Sequence, residues 1–452
     1  MNPRTAASDA SLARMDRLSG LAREVLRLCA ARGASQAEVA MNEDSGLSVN
    51  VRLGEVETVE RTRDRGVGLT VYFGQRKGSA STADLQAGSL EATVEQACAI
   101  ARYTEADPAA GLADPDRMAR DLREFDAWHP WALDADRAIA LATEAEAAGR
   151  GADARIANSD GAGAHSGESI SVYANSHGFV GAERGTSHSL SVSLIAGSGD
   201  RMQRDYWYTS ALSPDDLEAP AQVGRRAAER TVARLNPRPI KTGDYPVLFA
   251  PEMARSLIGH LLGAVSGGAL YRRASFLLDH AGKQILPPWF TLVERPHRVR
   301  GLRSAAFDAE GVATVDADLV RDGVLSRYLL GSYAARKLGL ESTGNAGGVH
   351  NLEATANAEG LDALVRSMGR GLLVTELMGQ GANTVTGDYS RGAAGFWVEN
   401  GEIAHPVDEL TIAGRMQDLF LAIEAVGADV DRRSHVAVGS ILVGRLTVAG
   451  EA

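Results

Sequence analysis

The chain of 452 residues holds ten histidines, and the closest two, His177 and His188, stand eleven positions apart. None of the ten is followed by glutamate. A zinc peptidase of the common kind sets two histidines on one turn of helix beside a glutamate base, and no local segment here supplies that set. Other catalytic signatures are missing as well. Gly66-Val67-Gly68 and Gly379-Gln380-Gly381 lack the third glycine of a dinucleotide loop, and there is no phosphate loop ending in lysine. Gly387-Asp388-Tyr389-Ser390-Arg391-Gly392 carries its serine one place too late for a nucleophile elbow. The two cysteines, Cys29 and Cys98, each sit on the apolar stripe of an expected helix with no histidine nearby to act as base. They read as buried thiols of a reducing compartment, although a disulfide between them is geometrically allowed.

The elements that must position any site follow from hydrophobic spacing. Leu18, Leu21, Val25 and Cys29 recur at helical intervals and the pattern stops at Gly33. Leu47, Val49, Val51 and Leu53 alternate with polar residues, a turn is expected at Gly54-Glu55, and further strands are expected through Val56–Val59 and Gly66–Phe73. Ser89 is the expected N-cap of a helix carrying Leu90, Val94 and Cys98, so the first hundred residues read α-β-β-β-α. Segment 104–135 is a connection to a helix over 136–149. Strict alternation near Ser169–Val172 and Ser189–Leu194 predicts a sheet with one hydroxyl-lined face. Tyr206-Trp207-Tyr208 is expected to alternate across a strand, or to hold a peptide side chain; Arg225, Arg226 and Arg230 read as a solvated helix face.

After a helix over 220–235, Asn236-Pro237-Arg238-Pro239 marks the best boundary, because two prolines fix the backbone and end the helix. We therefore divide the chain into an N-terminal α+β domain, 1–235, and a β-rich C-terminal domain, 236–452. The second opens on a strand over 245–249 and an apolar helix near Met253–Leu262, with hairpin turns at Asp322-Gly323 and Asn400-Gly401. Strands and helices do not alternate as βαβ units, so the expected class is α+β.

Composition narrows the partners. Asp and Glu outnumber Lys and Arg by 58 to 47, a formal charge of −11, which argues against nucleic acid. The N-terminal stretch has acidic residues and no apolar segment of a signal peptide, and Ser256–Leu270 is too short and glycine-interrupted to span a bilayer. A cytoplasmic protein without membrane contact is expected.

Three groups of residues carry a family resemblance. They are Ser266-Gly267 with Ala274-Ser275-Phe276-Leu277; Phe307-Asp308-Ala309-Glu310-Gly311 with Ser342-Thr343-Gly344-Asn345-Ala346; and the run from Thr386 to Ile403 containing Gly387-Asp388-Tyr389-Ser390-Arg391-Gly392. Together with Arg65-Gly66-Val67-Gly68-Leu69, they make the chain resemble the TldD/PmbA family, on its PmbA (TldE) branch. The resemblance implies a cytoplasmic zinc metalloprotease of two homologous subunits, TldD and TldE, that admits unfolded peptides to a chamber. It also implies that zinc belongs to the TldD subunit, in an H-E-x-x-x-H segment with a C-terminal cysteine. Anchored on Ser266-Gly267, the corresponding positions here are Ile258, Gly259 and Gly263, with His260 off the ligand positions, and nothing after Cys98 is cysteine.

The chain is thus expected to carry no catalytic or metal residue and no cofactor of its own. It would pair with a TldD-like subunit, or form a homodimer when alone. The alternative is a metal-free homodimeric peptide-binding module that acts without a protease. The expected peptide- or partner-contacting residues are Asn345, Asp388, Tyr389, Ser390 and Arg391. The Thr386–Gly395 loop is either a chamber-facing element or a tight turn holding an Asp388–Arg391 pair, and Asn345 either lines the interior or takes the left-handed turn conformation.

Overall fold

The computed structural model describes residues 3–450. Helix α1 (Pro3–Ala31) ends where Gly33 takes φ +84°. Then come β1 (Gln36–Arg52), β2 (Glu55–Phe73), β3 (Arg76–Thr82), α2 (Ala87–Tyr103), α3 (Ala135–Arg150), β4 (Ile156–Asn175), β5 (Val180–Ala196), β6 (Gln203–Ala211) and α4 (Pro220–Ala233). The six strands form one antiparallel sheet in the order β3-β2-β1-β4-β5-β6. Its strands are long enough to carry two cores on one face. Helices α1 and α2 cover Val39, Met41, Leu69 and Val172 at one end, while α3 and α4 cover Val49, Ala164, Val192 and Leu194 at the other. The opposite face is the hydroxyl-bearing one, with Ser169, Ser171 and Ser191 exposed on it.

The second half holds β7 (Gly243–Phe249), α5 (Pro251–Ala264), α6 (Gly267–Tyr271), β8 (Leu292–Glu294), β9 (Ala317–Arg321), β10 (Val324–Leu325), α7 (Ser332–Leu338), β11 (Leu352–Ala354), α8 (Leu361–Met368), β12 (Gly371–Met378), β13 (Asp388–Glu399), β14 (Glu402–Arg415), α9 (Met416–Leu421), β15 (Ile423–Val426), β16 (Val436–Ala437) and β17 (Ile441–Ala449). Strands β14-β13-β12-β7-β17 follow one another in a sheet, and β14 also pairs with β17, so these five close on themselves. Closure covers part of the edge that β14 would otherwise leave free, and β13 is interior, its neighbours β12 and β14 using both of its sides. Leu257, Ile258, Leu261, Phe249, Val374 and Tyr389 belong to the large core of this half. The chain is α+β, as expected.

Several local expectations need correction. The α-β-β-β-α order holds, but its strands are 36–52, 55–73 and 76–82, because exposed charged residues of β2 interrupt the apolar signal without interrupting the ladder. The first hairpin turns at Leu53-Gly54, both with positive φ, rather than at Gly54-Glu55. Ser89 is no N-cap: Gln86 holds that place, and the Ser89 hydroxyl donates to Asp84 Oδ2 at 2.6 Å. Asp322-Gly323 and Asn400-Gly401 do turn their hairpins with positive φ. The segment 104–134 is more than a connection, since Ala119 and Phe125 share a small core with Tyr173, Phe179 and Phe307, and Asp107 accepts hydrogen bonds from Tyr333 and Lys337.

Candidate functional site

Helix α5 starts with proline at its first turn and buries Ala254, Leu257, Ile258, Leu261 and Ala264. That face settles the three positions singled out in the sequence. Ile258 is 1% exposed and packs into the core, whereas Gly259 and Gly263, one turn apart, lie on the exposed face. A Cβ built on either glycine meets nothing within 4 Å.

His260 leaves the helix beside Tyr389 of β13, their rings edge to face at 5.8 Å. Both His260 Nε2 and Tyr389 Oη are buried with no protein partner, as is Arg391 Nε. Strand alternation explains the grouping: Tyr389 and Arg391 point to one side of β13, and Asp388 and Ser390 to the other. Burial and then the Arg391 charge hold the His260 imidazole below its ordinary range, favouring the neutral ring. Burial pushes the Tyr389 hydroxyl up to about 12. Among the described residues no carboxylate pairs with Arg391.

The anticipated contacts are therefore divided. Thr386–Gly395 is mostly strand, not loop, and no Asp388–Arg391 pair forms, because the two side chains lie on opposite faces; Asp388 instead accepts from Thr386 Oγ1 at 2.5 Å. Ser390 is exposed, and its N–H donates to Gly381 O at 2.6 Å. Asn345 does not take the left-handed conformation, which falls to Gly344 (φ +71°). Its buried amide donates to both oxygens of Glu294, at 2.9 and 3.1 Å, and accepts from Thr343 Oγ1 at 2.8 Å.

Glu294, 1% exposed, is the centre that sequence reasoning missed. Its carboxylate pairs with Arg327 and accepts from the His350 backbone at 2.7 Å and from His350 Nδ1 at 2.8 Å. Burial raises the carboxyl pKa, but the His350 and Asn345 hydrogen bonds outweigh it and hold the group below its ordinary range. A lone acid in a three-residue strand leaves no periodic signal. Asn345 and Gly263 border one cavity of about 580 Å³, together with Ser266, Tyr271, Glu310 and Tyr333.

These residues do not fit a zinc ion. Ile258 faces the core, the two glycines offer no donor, and the one imidazole of α5 sits under the influence of a guanidinium, which repels a dication. Among the described residues no three of His, Cys, Asp and Glu come together as a metal-holding group. Cys29 and Cys98 are buried free thiols, and burial pushes Cys29 up to about 12, so it is no thiolate nucleophile at neutral pH.

Comparison with known proteins agrees with this architecture. Family models described as PmbA/TldA metallopeptidase domain 1, central domain and C-terminal domain match residues 37–101, 128–235 and 242–450. The chain belongs to the PmbA/TldD metallopeptidase family. Within it, a "Metalloprotease PmbA homolog" of Haemophilus influenzae is 49% identical over 93% of this chain and 94% of its own length. A "Metalloprotease TldD homolog" of the same organism is 22% identical over 80% of this chain and 79% of its own. A crystal structure from Bacteroides thetaiotaomicron superposes with a TM-score of 0.91 at 29% identity, over 96% of this chain and 99% of that one. TldE from Thermococcus kodakarensis shares the fold, with a TM-score of 0.83 at 20% identity over 95% and 100% of the two chains.

Proposed function

We propose that this chain is the TldE-like subunit of a two-subunit zinc metalloprotease, without a catalytic centre of its own, and that it degrades or processes unfolded peptides in the cytoplasm together with a TldD-like partner. What supports this reading is α5: Ile258, Gly259 and Gly263, the positions that the family resemblance matches to the partner's metal motif, offer no donor side chain. A zinc site needs three protein ligands and an open position to lower the pKa of its water to about 7. The partner supplies those groups in this reading, and this chain supplies interface and peptide-holding surface. No helix among the described residues is long and apolar enough to cross a membrane, which accords with an aqueous role.

The test is to mix the purified chain with its TldD-like homologue and to follow complex formation, zinc content and cleavage of an unfolded peptide. The expected result is a heterodimer that cleaves, with stoichiometric zinc in the partner and none in this chain, and no cleavage by this chain alone. Failure to associate would favour a homodimeric peptide-binding module, and zinc-dependent cleavage by this chain alone would defeat both readings.

A further inference from the structure

The helix-free face of the N-terminal sheet holds a trough of about 540 Å³ that the α5 region does not use. Across its floor the register sets Thr62 opposite Gly46, Gly46 opposite Gly167, and Gly167 opposite Ser187. Two adjacent glycines in one transverse row leave room for the His165 imidazole. A Cβ at Gly167 would stand 3.0 Å from His165 Nε2, and one at Gly46 would stand 3.5 Å from His165 Cε1. Ser48 Oγ, 2.9 Å from His165 Nδ1, anchors the ring. Burial lowers the His165 pKa, so the floor bears a neutral ring at pH 7. Segments 122–128 and 301–304 wall the trough.

The charges lining it are unevenly compensated. Glu124 pairs with Arg184, Glu168 with Arg14, and Arg123 with Asp121. Asp44 and Glu183 have no Lys or Arg partner among the described residues: Asp44 accepts only from the Asn42 side chain at 2.6 Å, and Glu183 from the Ala306 backbone. Asp64 and Glu60 extend the same face, since they oppose Asp44 and Ser48, while Arg61, Arg63 and Arg65 alternate to the other side of β2. Burial pushes the Glu183 carboxyl up to about 7, the cost of leaving it without a cation.

We propose that this trough binds an extended peptide segment carrying Lys or Arg side chains, whose charges are received by Asp44 and Glu183. The hydroxyls of Ser169, Ser171, Ser187 and Ser210 line the same space and offer donors and acceptors to a peptide backbone regardless of sequence. The proposal deepens the peptide-handling reading above by naming the charge this subunit selects. It is tested on this chain without partner, so its failure leaves the heterodimer standing, and failure of the heterodimer leaves the trough standing.

The experiment is fluorescence anisotropy with three labelled unfolded peptides of equal length, bearing two lysines, two glutamates or no charge. The wild type is compared with Asp44→Asn, Glu183→Gln and the remote surface control Glu105→Gln, all checked for native circular dichroism. The lysine peptide is expected to bind at least about tenfold tighter than the glutamate peptide, on the scale of one or two charge-assisted contacts. Asp44→Asn and Glu183→Gln should each weaken it about fivefold, with Glu105→Gln unchanged. Equal affinity for lysine and glutamate peptides overturns the proposal. So does an equal loss in Glu105→Gln, which would mark attraction by the net charge of −11 alone.

Discussion

The guanidinium of Arg433 lies 3.9 Å from the centre of the Trp207 ring, joining the segment after β15 to β6 of the other sheet. Arg226 covers the same indole at 3.8 Å and Arg230 lies 5.3 Å from it, so the basic face of α4, with Arg225 and Arg226 exposed as expected, also stacks on Trp207. Trp207 is 5% exposed, and its Nε1 donates to Glu218 at 3.1 Å. Tyr206 and Tyr208 stack on the other side of β6 with centroids 6.3 Å apart, so the trio alternates and its tryptophan serves packing between the two halves. Arg433 is held further by Asp431 at 2.8 Å and Glu252 at 3.3 Å.

Substituting Arg433→Met or Trp207→Leu should therefore destabilise the chain, and the two losses should not add. A partly desolvated cation–π contact has a worth of about 1–2 kcal/mol. A double-mutant cycle by urea denaturation should return a coupling energy near that size; additive losses would show that the stack contributes only packing.

Glu294→Gln should cost about 3 kcal/mol at neutral pH, because it removes the buried carboxylate that pairs with the partly buried Arg327 guanidinium and leaves that charge to Asp318 alone. The pH dependence has a definite sign. A carboxyl held below its ordinary range on folding contributes stability that is present above its unfolded pKa, about 4.3, and is lost as pH falls through its folded value. Denaturation midpoints measured from neutral pH downward should show the gap between wild type and variant narrowing below about pH 4.

Gly259→Ala and Gly263→Ala should each be tolerated or stabilise α5 by up to about 1 kcal/mol, since a methyl group there meets open space and alanine favours helix. Gly381→Ala should do the opposite. Its Cβ would overlap Ser390 O, where the Ser390 N–H already bonds to Gly381 O. Thermal melts of the three variants test the contrast.

Arg391→Gln should raise the His260 pKa, because the arginine charge is one of the two causes that lower it, while burial persists and keeps it below the ordinary value. The Cε1–H titration of His260, followed by NMR, reads this directly. An unchanged titration would separate the two side chains.

Much of the architecture was legible in the chain. Helical spacing in α1, α3, α4 and α5, the two turn signals at Asp322-Gly323 and Asn400-Gly401, and the serine-lined strands all follow from local periodicity. The family resemblance rested on runs of residues that the family models later matched over both halves. Less was legible of the strand that carries the candidate site. Gly387 and Gly392 made Thr386–Gly395 read as a loop, although pairing with β12 and β14 holds most of it as a strand.

By itself, then, the sequence determined the class of fold, the family and the lack of donor side chains at Ile258, Gly259 and Gly263, because residue type and short-range period are local properties. Tertiary structure alone decided which side chains meet. It sent Ile258 inward and left Gly259 outward, joined His260 to Tyr389 across α5 and β13, and buried Asn345 against Glu294. It also gathered Asp44 and Glu183 from separate strands into one trough. The physical reason is register: strand pairing and helix docking bring together residues far apart in the chain, and no local pattern encodes those distances.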